Sequence, residues 1–206
     1  MSQNSPIFTT DDSCEIGSNC TISTPNHIID NCIISDNVKL LPYNYISNSS
    51  IGASSQVASS VIQKSSIGSL CNIGPFAHIH KNSTIMDNCK IGNFCEIKNS
   101  TIGKHTKIAH HTYVGDSVIG EYCNIGCGVV FANYNGISKN TITIGDNVFV
   151  GSNSVLIAPL NIASNTYICA NSTVTQDSMP YDFVIGRVDA IHKPNRAQNR
   201  YLPKKD

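Results

Sequence analysis

Aliphatic residues recur along this chain at a spacing of six. The series runs Ile16, Ile22, Ile28, Ile34, Leu40 and Ile46, then takes a five-residue step to Ile51 and reaches Val57. A four-residue step leads to Val61, and the spacing of six returns through Ile67, Ile73, Ile79, Ile85, Ile91 and Ile97. Ile102, Ile108 and Val114 follow, then Ile119, Ile125 and Phe131. After a gap of 13 residues come Ile144, Val150, Leu156, Ile162, Ile168 and Val174. A period of six is neither the ~3.6 of an amphipathic helix nor the ~2 of a half-buried strand. It suits a triangular coil in which each unit adds one short strand and one turn, so that ~18 residues close a coil. The aliphatic residue points inward, and the residue after it, often Gly, makes the bend. No unit buries its own core; coils stacked ~4.8 Å apart supply it to one another.

The predicted fold is all-β: a left-handed parallel β-helix of hexapeptide repeats, with about nine coils. It spans residues 10–179 and carries a loop at 131–143, where NYNG departs from the repeat. A polar extension, 1–9, precedes it, and a short irregular basic tail, 180–206, follows. That tail holds all three arginines, Arg187, Arg196 and Arg200.

The repeat also explains the nine cysteines. Counting each aliphatic residue as position one, Cys20, Cys32, Cys71, Cys89, Cys95 and Cys123 occupy position five, and Cys14 fits one unit earlier. Elsewhere that position holds Val38, Ala77, Ser83, Thr106, Thr112, Val148, Ser154 and Thr166. A second inward site that wants a small side chain is the simplest reading, with Cys acting as a small hydrophobe. No C-x-x-C occurs, which removes zinc-ribbon and thioredoxin readings. Charged residues make up 14% of the chain and the formal net charge is zero, so a broad basic face for nucleic acid is not expected. No apolar run reaches the ~18 residues of a membrane span, and the N-terminus has no signal-peptide pattern. A cytoplasmic protein follows as the expectation.

The segments GPFAHIHKNSTI, NCKIGNFCEIKNSTIG, IAHHTYVGDSVIGEYCNIGCG, NYNG and ITIGDNVFVGSNS together resemble the C-terminal acetyltransferase domain of the GlmU family, which serves UDP-N-acetylglucosamine and hence cell-wall synthesis. The resemblance runs closely from about Ile67 to Arg187. It implies an acetyl-CoA-dependent N-acetyltransferase whose acceptor is an amino-sugar phosphate, glucosamine 1-phosphate. It also implies a homotrimer with active sites shared between subunits, and no metal for acetyl transfer. His110 falls on the family's general base, and imidazole is suited to take a proton from an attacking amine near neutral pH. His80, Lys98, Tyr113, Asn124 and Lys139 fall on acceptor-binding positions. Cys127, Asn133, Tyr134, Ser152, Ala170 and Arg187 fall on the acetyl-CoA site, with the Cys127 N–H as oxyanion donor. Two departures stand out. Cys127 replaces a residue that is usually Ala, and His80 replaces an Arg that binds the substrate phosphate; histidine lacks the bidentate fork. The family's uridylyltransferase domain, with its Gly-rich nucleotide loop, has no counterpart in this sequence, so that activity is not expected and a separate enzyme would supply it.

Rival readings exist. His105 and His110, with His78 or His80, offer imidazoles for a zinc site of the γ-carbonic anhydrase type. A non-catalytic scaffold is a second. A different, nucleotide-linked amino sugar for surface polysaccharide is the alternative acceptor. His78, His105 and His111 are otherwise read as surface residues of the wall.

Overall fold

The computed structural model describes residues 8–197; most of the 1–9 extension and Arg200 lie outside them. All regular structure among these residues is β, in short parallel strands. They form three parallel sheets of ten, nine and ten strands; chain order steps through the sheets in rotation, one strand per sheet, as far as Thr173–Val174, after which the last strand skips the second sheet and joins the third. The result is a three-sided parallel β-helix of about ten turns. The first sheet runs from Phe8–Thr10 to Thr173–Val174, the second from Glu15–Ile16 to Leu160–Ile162, and the third from Thr21–Ile22 to Phe183–Val184. The last strand, Phe183–Val184, pairs with Tyr167–Ile168, so the sheet continues past Pro180.

Inward aliphatic residues stack in register from coil to coil. On the third sheet Ile73 faces Ile91, Ile91 faces Ile108, Ile108 faces Ile125, Ile125 faces Val150, and Val150 faces Ile168. All of these are essentially solvent-free. Position five is inward as well: Cys32, Cys71, Cys89, Cys95 and Cys123 are buried, and every cysteine is a free thiol. Burial pushes the Cys32 thiol up to about 11 and raises Cys95 and Cys123 too, so they stay protonated and pack as small apolar groups.

The repeat departs from expectation at one place. Val61 is not the inward residue; Ile62 is, fully buried and paired with Ile46 and Ile79. Five-residue steps therefore lie on both sides of Ile62, instead of four then six. Two adjacent β-branched residues at a shortened turn fit either phase in sequence, and only stacking on Ile46 selects one. The first coil is also less enclosed than its pattern implies, with Ile16 38% exposed.

A buried serine column runs along the corner between the first and second sheets. The Ser65 N–H donates to Ser49 Oγ, Ser83 N–H to Ser65 Oγ, Ser100 N–H to Ser83 Oγ, and Ser117 N–H to Ser100 Oγ, at 3.0–3.3 Å. Each hydroxyl also donates to a carbonyl just before it: Ser83 to His80, Ser100 to Lys98 and Ser117 to Gly115. These corners would otherwise leave buried N–H groups unpaired. They also fix the ends of the first-sheet strands that carry His80 and Lys98.

Candidate active site

Successive coils place predicted site residues in a column. Asn93 pairs with His110, and both stand two residues past the inward isoleucine of their third-sheet strand, Ile91 and Ile108. The next inward residues, Ile125, Val150 and Ile168, are in register with Ile108. Two residues past them stand Cys127, Ser152 and Ala170. One outer column at the corner between the third and first sheets therefore carries Asn93, His110, Cys127, Ser152 and Ala170 in order, ~4.8 Å per coil. Arg187 follows on the next turn and donates from Nη1 to the Ala170 carbonyl at 2.6 Å. His110, Cys127, Ser152, Ala170 and Arg187 are all exposed.

His110 Nδ1 lies 2.7 Å from Asn93 Oδ1. An amide oxygen only accepts, so Nδ1 carries the proton and donates it, which leaves the Nε2 lone pair free. Asn93 thus fixes both ring orientation and tautomer, a role that sequence reading missed although Asn93 lies inside the GNFxEIKNS segment. Its signal was arithmetic: the coil is 17 residues long here, and Asn93 is 17 before His110. The Cys127 N–H, one coil beyond His110, donates to no acceptor among the described residues. Asn124 stands exposed on the same wall, at the start of Asn124–Ile125.

Of the residues predicted to bind the acceptor, His80, Lys98 and Tyr113 stand on the outer surface of the first sheet. His80, Lys98 and Gly115 are register partners on successive coils, as are His78, Glu96 and Tyr113. Lys98 is held below the usual lysine range by its contact with Lys139, then by the charges of Lys139 and Lys81, with Glu96 opposing. Three ammonium groups therefore converge here, and an anion bound among them would relieve their mutual repulsion. Lys139 reaches this wall from the excursion 133–141, which closes by a Tyr134–Lys139 bridge and an Asn140 N–H to Asn133 carbonyl bond of 2.7 Å. The flanking residues of the expected loop, Phe131 and Ile142, are buried strand residues.

Asp116 anchors that excursion. Its carboxylate accepts from Asn133 Nδ2 and from Asn99 Nδ2, and lies 3.6 Å from Lys139 Nζ. Above Gly115, next to it, the space a Cβ would take is filled by the ends of the Tyr113 and Asn133 side chains. The Y-V-G-D run therefore brings Tyr113 across Gly115 to Asn133. Tyr134 is exposed and its hydroxyl donates to the Gly136 carbonyl.

His80 is not directed at the lysines. Its Nε2 lies 3.1 Å from Glu96 Oε1, and its ring stacks on His78 with centroids 4.0 Å apart. His78 is half-buried, not a free surface residue, and burial first, then the charge of His80, holds it below the usual histidine range. His105 stacks on Tyr122 and His111 tilts against Phe94. Among the described residues the three-ligand groupings that could hold a metal do not include His105 or His110. The zinc set of the rival reading is not assembled within one chain.

Two grooves, of about 580 and 280 Å³, lie on the second sheet. The smaller is lined by Asn99, Asp116 and Lys139 at the foot of the excursion; neither includes His110. The His110 corner is an outward ridge.

Comparison with known proteins shows what the chain is similar to. Residues 61–143 match the GMPPB C-terminal domain, and residues 141–176 match the six-repeat bacterial transferase hexapeptide family. The chain is 38% identical over 192 residues to the bifunctional protein GlmU of Synechococcus sp. strain CC9605, which covers 93% of this chain and 43% of that protein. GlmU of Trichormus variabilis is 39% identical over 187 residues, 91% of this chain and 42% of that protein. The chain carries the bacterial transferase hexapeptide repeat over residues 141–176 and is similar to the C-terminal region of GlmU. It spans less than half the length of these relatives. The crystal structure of Arabidopsis UDP-N-acetylglucosamine acyltransferase shares the fold, with a TM-score of 0.62 at 22% identity over 84% of this chain and 67% of that one. No helix among the described residues is long and apolar enough to cross a membrane.

Proposed function

We propose that this hexapeptide-repeat protein transfers an acetyl group from acetyl-CoA to the amine of an amino-sugar phosphate, with glucosamine 1-phosphate as the acceptor. The observation that carries the reading is the His110–Asn93 pair at the head of the Cys127–Ser152–Ala170–Arg187 column. The free Nε2 of His110 takes the proton of the sugar ammonium's conjugate amine as its nitrogen attacks the thioester carbonyl. A C–N bond forms, and the carbonyl oxygen becomes an oxyanion that the unpartnered Cys127 N–H receives. Collapse breaks the C–S bond; the imidazolium returns its proton to the departing thiolate, giving the N-acetyl sugar and free CoA. Ser152, Ala170 and Arg187 continue along the axis from the reacting group, so an extended CoA would lie along the column with its phosphates toward Arg187, whose guanidinium suits them.

The acceptor's phosphate goes to the Lys98–Lys139–Lys81 cluster, with Tyr113 and Asn124 lining the sugar between cluster and base. The excursion 133–141 brings Lys139 to that cluster, and its Asn133 and Tyr134 belong to the acetyl-CoA site. Because His110 lies on a ridge, one chain supplies walls but no enclosure. A homotrimer whose ridges face neighbouring subunits completes three shared pockets. Sedimentation should give a trimer at micromolar concentration; a monomer with full activity would contradict it.

One observation favours a second acceptor. His80 is turned to Glu96 instead of toward the lysines, which fits a nucleotide-linked amino sugar whose phosphates bind differently. The deciding assay measures free CoA release from acetyl-CoA with a panel of amino sugars. Release with glucosamine 1-phosphate supports the first acceptor, release only with nucleotide-linked sugars replaces it with the second, and no release with any overturns the transferase reading.

A further inference from the structure

His78, His80 and Glu96 form a cluster that the acetyl-transfer mechanism does not use. His78 and His80 are alternate residues of the strand His78–His80, so both side chains stand on the outer face of the first sheet. Glu96 is the register partner of His78 on the next coil. One ligand atom from each of the three lies within 4.8 Å of the other two, and His80 Nε2 to Glu96 Oε1 is 3.1 Å.

An independent feature points the same way. The Nε2 of His78 is buried and has no hydrogen-bond partner. A buried polar nitrogen without a partner is costly and rare. Here it stands beside another imidazole and a carboxylate, and the one partner all three can share is a cation.

We propose that His78, His80 and Glu96 bind a divalent transition-metal ion of the zinc class, and that the ion's open position receives a phosphate oxygen of the acceptor. Two imidazoles and a carboxylate suit zinc, cobalt or nickel over magnesium or calcium. At metal–ligand distances of about 2.0–2.2 Å, tetrahedral ligands stand about 3.3 Å apart. The His80–Glu96 separation already matches, whereas His78 must close in. The rings, now stacked with planes 11° apart, open from that stack so that both lone pairs converge on one point. Three protein ligands leave the fourth tetrahedral position free. Lys98 follows His80 in one outer column, and Tyr113 follows Glu96 in the other. The ion's ligands therefore stand on the same two coils as Lys81 and Lys98, and the ion adds positive charge to the same wall. The phosphate half of the proposal rests on the acceptor reading above; the metal half does not.

The test titrates untagged, metal-free protein with Co²⁺ and follows its visible absorption, which reports ligand set and coordination number. Wild type should take up one ion per chain with a tetrahedral-type spectrum, and Zn²⁺ should displace it. His78→Ala, His80→Ala and Glu96→Gln should each weaken binding at least ~10-fold, the lower bound of losses seen even for outer-sphere partners. His111→Ala, outside the cluster, should bind as wild type, and near-ultraviolet circular dichroism on each variant confirms that the wall is intact. No saturable uptake by wild type, or uptake unaffected by all three cluster substitutions, overturns the site. Inorganic phosphate and glucosamine 1-phosphate added to the Co²⁺ protein should shift the spectrum. A bound ion whose spectrum neither anion changes overturns the phosphate contact and leaves the acetyl-transfer reading untouched. That reading is judged separately, by CoA release.

Discussion

Two columns run along this β-helix, each with one residue per coil, and they have opposite characters. The inner column at the corner between the first and second sheets repeats one residue: Ser49, Ser65, Ser83, Ser100 and Ser117, each hydroxyl accepting from the N–H of the next. The outer column at the corner between the third and first sheets changes at every step: Asn93, His110, Cys127, Ser152, Ala170. Where a position faces the interior, every coil presents the same unpaired N–H and the same small space, and one residue type answers it repeatedly. Where it faces outward, the backbone needs nothing from the side chain, and each coil is free to carry a different chemical group at a fixed ~4.8 Å interval. Repetition builds the scaffold, and variation on that scaffold gives the proposed site its different groups.

The comparison breaks most visibly at His110. His110→Ala should lower turnover by ~10²–10⁴-fold while leaving acetyl-CoA binding and the unfolding midpoint nearly unchanged, because the ring is exposed. His111→Ala, one residue along, should be mild. Steady-state kinetics and chemical denaturation of both variants check this; the reverse pattern would shift the site by one residue.

Asn93→Leu sharpens it. Without Oδ1 the His110 ring loses its tautomer and its orientation, so kcat should fall by up to ~100-fold with the acetyl-CoA KM unchanged, misplacement by ~1 Å being enough for such a loss. Asn93→Asp should recover part of that activity and move the acid limb of the pH–rate profile upward, because a carboxylate stabilises the protonated ring; a purely structural role would move neither.

How much of this was legible in the sequence follows from the same contrast. The interior was: inward positions must be aliphatic or small at every coil, so the six-residue period located them from Ile28 to Val174. It was misplaced only at Val61, where a shortened turn sets two β-branched residues side by side and the phase depends on the coil below. The outer residues carry no period of their own. His110, Lys98 and Tyr113 came from segments resembling a family, whereas Asn93 and Asp116, inside those very segments, had no assigned role. Their partners lie 17 residues away, across a coil whose length is set by turns that sequence reading located only approximately. His78 and His80 were considered as metal ligands only alongside His105 and His110, and Glu96, a coil away from both, was missed for the same reason.

Arg187→Ala tests the far end of the outer column. Loss of a charge-assisted contact of ~1.5–3 kcal/mol should raise the apparent acetyl-CoA KM ~10- to 100-fold and leave the sugar KM nearly unchanged; equal rises in both would remove Arg187 from the donor site.

The inner column is tested by Ser83→Ala, which leaves the Ser100 N–H buried without its acceptor. Unfolding free energy should fall by ~1–3 kcal/mol, read as a lower urea midpoint at constant slope. Ser83→Cys should cost less, since Cys already fills the equivalent position elsewhere.

Acid gives the smallest effect. The carboxylate of Asp11 accepts the Asp30 N–H and the Ser13 hydroxyl, which lowers it to about 2. Asp87 is lowered by the Ser69 N–H and by Lys104, and Asp177 by the Asn161 N–H and side chain. Each folded value lies below the unfolded ~3.9, so the unfolded chain binds protons first on acidification. This stability is present above ~pH 4 and is lost as pH falls toward the folded values. Thermal midpoints should be level from ~pH 5 to 7 and decline below ~pH 4, and Asp87→Asn should flatten that decline slightly.

The central claim is that the outer column carries acetyl transfer to a sugar amine. Its most direct test is a single-turnover reaction of enzyme, isotope-labelled acetyl-CoA and glucosamine 1-phosphate, quenched and read by mass spectrometry. The account predicts label on the acceptor nitrogen in step with CoA release, lost in His110→Ala though the variant still binds acetyl-CoA. Label transfer by His110→Ala at the wild-type rate would contradict it.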